Sequence, residues 1–314
     1  MMLVVLTAIV PLACVLCFGT WMKARGMVPD EFWRGLEWVS YWVLMPALLV
    51  SVIMRAPDLS VPWVGLFTAL YGTLALLSGV VWLGWKLGLR HQGFPRLTSL
   101  YQGVIRFNTF IALALMAGLD RTLLSHVAIA AACLIVVINV LCVSVLSMQG
   151  ATSGAPSRIT RELSRNPLVL GCLLGALLRQ IGVSGESVLG ESLRLLGQAA
   201  LPMGILVLGA GLQADAMRRA LPTTGLSLLL QFIIKPLIGM ALALAVGLDP
   251  TWSLVVLILF LVPTAPSSYI LAKQLGGDAP AMAAIVASQT VLAMVTIPVT
   301  LLIAASLGVI RLGL

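Results

Sequence analysis

Apolar runs and short polar punctuation alternate along the whole chain. "MMLVVLTAIVPLACVLCFGTW" comes first, and "WSLVVLILF" stands near the other end. A helix that crosses a bilayer needs about 20 apolar residues. Cutting the chain at charge clusters and Pro/Gly breaks predicts ten spans: 2–22, 34–54, 62–85, 98–118, 122–147, 167–183, 188–212, 220–247, 252–274 and 280–308. The longest polar connection is "QGATSGAPSRITRELSRN", 149–166, near the middle of the chain. It separates a first set of five spans in 1–148 from a second in 167–314. Trp21, Trp33, Trp63, Trp82, Trp85 and Trp252 fall near span ends, as interfacial aromatics do.

An odd number of spans per half means that a two-fold repeat must be inverted in the membrane. Two traces support one. Pro46 in "WVLMPALLVSV" corresponds to Pro202 in "AALPMGILVLG", 156 positions on. Asp120 in "IALALMAGLD" corresponds to Asp278 in "YILAKQLGGD", 158 positions on, with Leu113, Ala114 and Gly118 matching Leu271, Ala272 and Gly276. The second alignment sets "PTAPSS" of span nine opposite "IRFNTF" of span four. Both are polar interruptions near mid-membrane, the pattern of broken helices around a transport site. Proline removes a backbone donor and blocks the preceding turn. The freed groups then need partners in protein or in a water-lined cavity. Asn108, Thr109, Ser267 and Ser268 can cap the helices that restart after each break. Two half-helix N-termini at mid-membrane would favour a carboxylate.

Composition fits this reading. The chain is 60% hydrophobic and 10% charged over 314 residues, which leaves too little polar surface for a soluble domain. The expectation is an all-α polytopic membrane protein. Its formal charge of +8 records loop topology and not a nucleic-acid surface. One set of loops carries Lys23, Arg25, Arg34, Lys86, Arg90, Arg96, Arg158, Arg161, Arg165, Arg218, Arg219 and Lys273. The other carries only Arg55, Arg121, Arg179 and Arg311. The positive-inside rule makes the first set cytoplasmic and puts both termini outside. Lys23 and Arg25 follow the first apolar run instead of preceding it, so that run reads as a retained span and not a signal peptide.

At "RFNTFIALAL", "RNPLVLGCLLGALL", "LPMGILVLGAGLQ", "IIKPLIGMALAL" and "VPTAPSSYILAKQLGGDAPAMAAIVASQT" the sequence resembles the auxin efflux carrier family, whose bacterial members are described as malate or malonate permeases. The resemblance runs through essentially all ten spans. It implies two inverted five-helix repeats, as in sodium–proton antiporters and bile-acid symporters, with helices four and nine broken and crossing. It implies a scaffold of helices one, two, six and seven that dimerises, and a mobile transport domain of the other six moving as an elevator. Substrates would be organic anions, chiefly carboxylates, with Asn108 and the Pro263–Pro266 segment lining the site. The sequence departs from the family pattern at one point. Phe107 and Leu115 stand where many relatives carry prolines, so a break in span four must rest on Asn108 and its neighbours.

The candidate substrate-binding set is Arg106, Asn108, Thr109, Pro263, Thr264, Pro266, Ser267, Ser268 and Gln289. Arg106 is either a counter-charge for an anion or a residue that snorkels to the interface. Lys235 lies deep enough for a buried pairing role, whereas Lys273 reads as snorkelling. Asp120 and Asp278 match across the repeat, but each directly precedes a new helix and reads as an N-cap. Asn139 reads as helix glue, and Gln289, in "ASQT", as site-lining. Gly171, Gly175, Gly204, Gly209 and Gly211 read as close-packing positions. The five cysteines, all in apolar runs, read as small packing residues, and His91 and His126 as solvated or hydrogen-bonded. No metal, cofactor or catalytic set is expected, and an enzyme is disfavoured.

These readings converge on a secondary or potential-driven transporter of small organic anions, auxin-like or dicarboxylate. The expected setting is a bacterial inner membrane, with lipid as neighbour, a homodimer as assembly and no nucleic-acid partner. Two alternatives stay open: a sodium- or proton-coupled organic acid symporter, and a non-transporting membrane sensor or scaffold. No Asp or Glu falls in mid-span, which argues against cation antiport.

Overall fold

The structure is a computed structural model describing residues 2–56, 60–148, 164–212, 214–217 and 222–310. Among these residues it is helical without strands. The main elements are α1 (Met2–Ala24), α2 (Asp30–Met54), α3 (Trp63–Gly88), α4 (Phe94–Leu119), α5 (Leu124–Ser147), α6 (Pro167–Gln180), α7 (Val188–Ala210), α8 (Pro222–Ala245), α9 and α10 (Ala279–Ser306). Helix α4 is interrupted: α4a is Phe94–Ile105 and α4b is Thr109–Leu119. So is α9, as α9a (Pro250–Leu261) and α9b (Ser267–Gln274). Among the described residues, eight spans are long and apolar enough to cross a membrane, so the chain is a polytopic membrane protein. Helix α6 and α9a are apolar but shorter, at 14 and 12 residues. At 1.5 Å per residue, α6 reaches about 21 Å against a hydrocarbon core of about 30 Å.

Helix starts follow the local chemistry. Asn166 caps α6 through the N–H groups of Leu168 and Val169, Ser187 caps α7, and Asp249 caps α9a. Asp278 caps α10 by accepting from the Ala281 N–H, and Asp120 caps the 3-10 turn that leads into α5. The capping reading of both aspartates is met. Pro46 and Pro236 lie inside α2 and α8, each just after a π-helical turn, Ser40–Leu44 and Leu230–Ile234. The widened turn accommodates the missing donor and the bulk of the ring.

Helix α1 packs on α7 and α4b, and α2 packs on α6 and α7. A Cβ on Gly209 would lie 2.0 Å from the Leu16 carbonyl oxygen, and one on Gly171 would lie 3.1 Å from Pro46. Only glycine permits the first of these backbone approaches, and the second would leave a Cβ tighter than ordinary contact. Gly211 differs, because the atoms nearest to it belong to its own helix. A second set of contacts joins α3 to α8, α8 to α9a, and α10 to α4a and α9b. Helix α9a sits at the centre, with every residue from Trp252 to Leu261 buried. Cys142 and Cys172 are buried, whereas Cys14 and Cys17 are exposed on α1, so the packing reading fails for that pair.

The two broken helices share a register. Phe94 and Pro250 are 156 positions apart, as are Ile105 and Leu261, whereas Thr109 and Ser267 are 158 apart. The second break is two residues longer, which accounts for the two offsets found in the sequence. Residues 149–163 of the central connection, with Arg158 and Arg161, and also Arg218, Arg219 and Arg311, lie outside the described residues.

Candidate functional site

The site begins with the backbone freed at the breaks. Helix α4a ends in extended geometry at Arg106 (φ −75°, ψ 165°), and Asn108 (φ −96°, ψ 104°) starts α4b. Asn108 Oδ1 accepts the Ile111 N–H at 3.2 Å, the predicted cap. Helix α9a ends at Val262 (φ −71°, ψ 147°), and Pro266 starts α9b without a side-chain cap. Ser267 and Ser268 therefore do not cap. Proline already fixes the first-turn geometry and has no side-chain acceptor.

Four buried side chains satisfy the freed groups. Gln289 Nε2 donates to the Gly103 carbonyl and to Ser227 Oγ, both at 2.8 Å, while its Oε1 accepts the Thr264 N–H at 2.8 Å. One amide thus ties α4a to the α9 break. Gln231 Nε2 donates to the carbonyls of Phe260 at 3.1 Å and Val262 at 2.7 Å. Lys235, fully buried, donates to the Arg106 carbonyl and to Gln231 Oε1, both at 3.1 Å. Its ammonium lies 5.7 Å from the centre of the Phe260 ring. Thr264 Oγ1 donates to the Gln102 carbonyl at 3.3 Å and pairs with Ser268 Oγ at 3.1 Å. Each bond removes a penalty of about 1–3 kcal/mol for an unmet buried polar group.

In front of this lattice lies a cavity of about 210 Å³. That is below the roughly 300–1,000 Å³ of drug-sized sites and suits a small molecule. Arg106, Asn108 and Thr109 line it from α4, Ala265, Pro266 and Ser267 from α9, and Asn139 from α5. Glu37, Ser40 and Tyr41 of α2, Gly204, Val207 and Leu208 of α7, and Gly211 and Leu212 just after α7 contribute to the facing wall. Arg106 Nη2 donates to Asn139 Oδ1 at 3.2 Å, whereas its Nη1 is buried without a partner. Ser40 Oγ is buried and unpartnered too. The N-terminal turns of α4b and α9b both reach the cavity, bringing partial positive charge.

The structure thus divides the predicted residues. Arg106, Asn108, Thr109, Pro266 and Ser267 line one cavity. Thr264, Ser268 and Gln289 are buried behind it and bonded to the breaks. Pro263 is buried and is not among the lining residues. The two amides exchange roles: Asn139 holds the site arginine, and Gln289 is the structural one. Arg106 sits at the break with its head group held by Asn139, so it does not snorkel. Sequence reasoning missed Gln231, although a lone amide in "LLLQFIIKPL", four residues before Lys235, put both on one helix face. It also missed Ser40 and Tyr41, which line the cavity from a helix remote in sequence from the breaks.

Residues 155–301 match the model of a family described as Membrane transport protein. The match takes in α6 through α9 and most of α10, with Pro263–Ser268 and Gln289 inside it and Arg106 and Asn108 outside. It agrees with the resemblance carried by the sequence motifs. No curated protein matches the chain.

Proposed function

We propose that this membrane transport protein, of the auxin efflux carrier-like family that its second half matches, carries small organic anions by alternating access. The observation behind this reading is the Arg106 guanidinium. It stands in the cavity with a buried, unpartnered N–H, beside the N-termini of α4b and α9b. A carboxylate would supply the missing acceptor and neutralise the charge. Asn108, Thr109 and Ser267 would orient it.

In this reading the ten helices are two inverted repeats, 1–148 and 167–314. Helices α1, α2, α6 and α7 form a dimerising scaffold, and the others form the moving part. The shared register of the two broken helices supports the repeat, and the close packing of α1, α2, α6 and α7 on one another supports the division, with α1 on α4b as a contact across it. The cavity lies between those sets, where relative sliding would expose it to either side. The distribution of basic residues supports an inner membrane with both termini outside. Lys235 offers a tethered ammonium to the Arg106 carbonyl, in the place of a free coupling cation, which favours a carrier driven by membrane potential.

Counterflow of radiolabelled mono- and dicarboxylates in proteoliposomes tests the reading. Asn108→Ala and Pro266→Ala should cut flux while the purified protein stays folded. Wild-type flux in both variants would overturn the site. No flux of any acid in the panel, from folded protein, would overturn transport and favour the sensor reading.

A further inference from the structure

A second cavity, of about 430 Å³, lies at the other end of the same two facing helices. The first takes Glu37 through Tyr41 of α2, in part, and Val207 and Leu208 of α7 with Gly211 and Leu212 just after it. The second takes Leu48 through Ala56 and Arg194 through Leu201, in part. Tyr41 and Arg55 are separated by about 21 Å of helix. The opposite wall is the end of α4b, the turn after it and the start of α5. Both cavities therefore open along one seam, at opposite ends.

The charge of the second cavity is unusual for its position. Arg55, Arg121 and Arg194 line it, with no Asp or Glu among the lining residues. It lies at the end of the bundle where loop arginines are scarce, so topology does not call for three here. Glu191 is shared by two of them. It accepts from Arg55 Nη2 and from Arg194 Nε, both at 2.6 Å, and Arg55 also donates to the Gly185 carbonyl. Arg121 has no hydrogen-bond or ion-pair partner among the described residues. Its neighbour Asp120 is occupied, accepting from the N–H and hydroxyl of Thr122 at 2.8 and 2.6 Å. A second observation points to a ligand. Ser125, a lining residue only 2% exposed, has a buried hydroxyl without a partner.

We propose that this cavity is a second anion site, for small carboxylates. Arg121 and Ser125 supply its free donors, and Glu191 is an internal competitor for Arg55 and Arg194. An incoming carboxylate would take the position of the Glu191 carboxylate on those guanidiniums and add the unused Arg121 and Ser125 donors. A role as a waystation for the transported anion rests on the organic-anion reading of the first cavity; binding here does not.

Guanidinium modification reads this site without relying on transport. The full-length protein in phosphatidylcholine nanodiscs would be treated with phenylglyoxal, with succinate or with choline chloride of equal ionic strength. Peptide mass spectrometry would quantify modified Arg121. Succinate should slow modification of Arg121 several-fold, and equally in Asn108→Ala. Glu191→Gln should lower the half-protecting succinate concentration about two- to fivefold, the range of a partly exposed ion pair. Absence of protection would overturn the proposal. So would protection that disappears in Asn108→Ala, since it would then follow from binding in the first cavity. Equal protection by phosphatidylglycerol nanodiscs without succinate would assign the site to a lipid headgroup and overturn it as well. An unchanged half-protecting concentration in Glu191→Gln would overturn the competitor role. If the first-cavity reading alone is wrong, Asn108→Ala will transport normally while Arg121 stays protected.

Discussion

Arg106→Gln removes one charge from the cavity and little else. Glutamine can still reach toward Asn139, and the backbone of the break is held by Lys235 on the Arg106 carbonyl and by Gln289 on Gly103. A carboxylate about 4 Å from the guanidinium would gain roughly 4 kcal/mol at an effective dielectric near 20. Removing one partner of a buried charge pair costs about 2–5 kcal/mol in practice. The low end applies here, because two helix N-termini remain. About 2 kcal/mol is a factor of roughly 30 in binding. The KM for the transported anion in proteoliposome counterflow should therefore rise about 30-fold or more. Arg106→Lys should fall between, since it keeps the charge and loses the planar fork. Thermal unfolding should be unchanged or shifted upward, because a half-buried cation without a counter-ion among the described residues contributes no stability. A KM for Arg106→Gln within about twofold of wild type would refute the counter-charge role.

Gln289→Leu strands the Thr264 N–H and the Gly103 carbonyl. At about 1–3 kcal/mol each, a clear drop in unfolding midpoint is expected by scanning fluorimetry, and an unchanged midpoint would contradict the bonding. Gly204→Ala places a Cβ 2.1 Å from the Phe110 ring, which must then swing into the cavity. Flux should fall in counterflow and recover in the double variant with Phe110→Ala, and no recovery would mean that the helices themselves had separated. With Lys235 already on the freed carbonyl, replacing sodium by choline should leave wild-type flux unchanged. Stimulation by sodium would favour a cation-coupled symporter.

The spans were legible because each is a run of hydrocarbon bounded by charge, proline or glycine. The ends of α5, α7 and α10 fall within a few residues of their predicted limits. The break in α9 was legible too, because "PTAPSS" interrupts a run whose apolar residues continue on both sides, and the helix stops at Leu261 and restarts at Ser267. Within the site, the residues in the breaks were legible, since polar groups at mid-membrane have few other uses. Their division into lining and supporting roles was not. Whether an amide faces a cavity or a carbonyl depends on its rotation about the helix and on elements remote in sequence. Thr264 and Gln289 are 25 positions apart, and Lys235 and Arg106 are 129 apart.

The α4 break shows why proline was a poor guide. In α9 the chain cannot continue as a helix through Pro263 and Pro266, so the interruption is written locally. In α4 nothing between Ile105 and Thr109 forbids a helix, and Arg106 is a good helix former. Continuing the helix through 106–108 would move the Arg106 carbonyl back into the intrahelical ladder and away from Lys235. The fully buried Lys235 Nζ would then lose an acceptor, at about 1–3 kcal/mol, which opposes the backbone bonds regained. Asn108 adds a cap worth about 1 kcal/mol to the restart. The α4 break is thus a tertiary feature, held by α8 and α10, while the α9 break is a local one. It follows that Lys235→Met should shorten or close the α4 break while leaving α9 broken. A pair of spin labels on α4a and α4b would show the change in distance, and an unaltered distance would mean that Asn108 and the packing around it suffice.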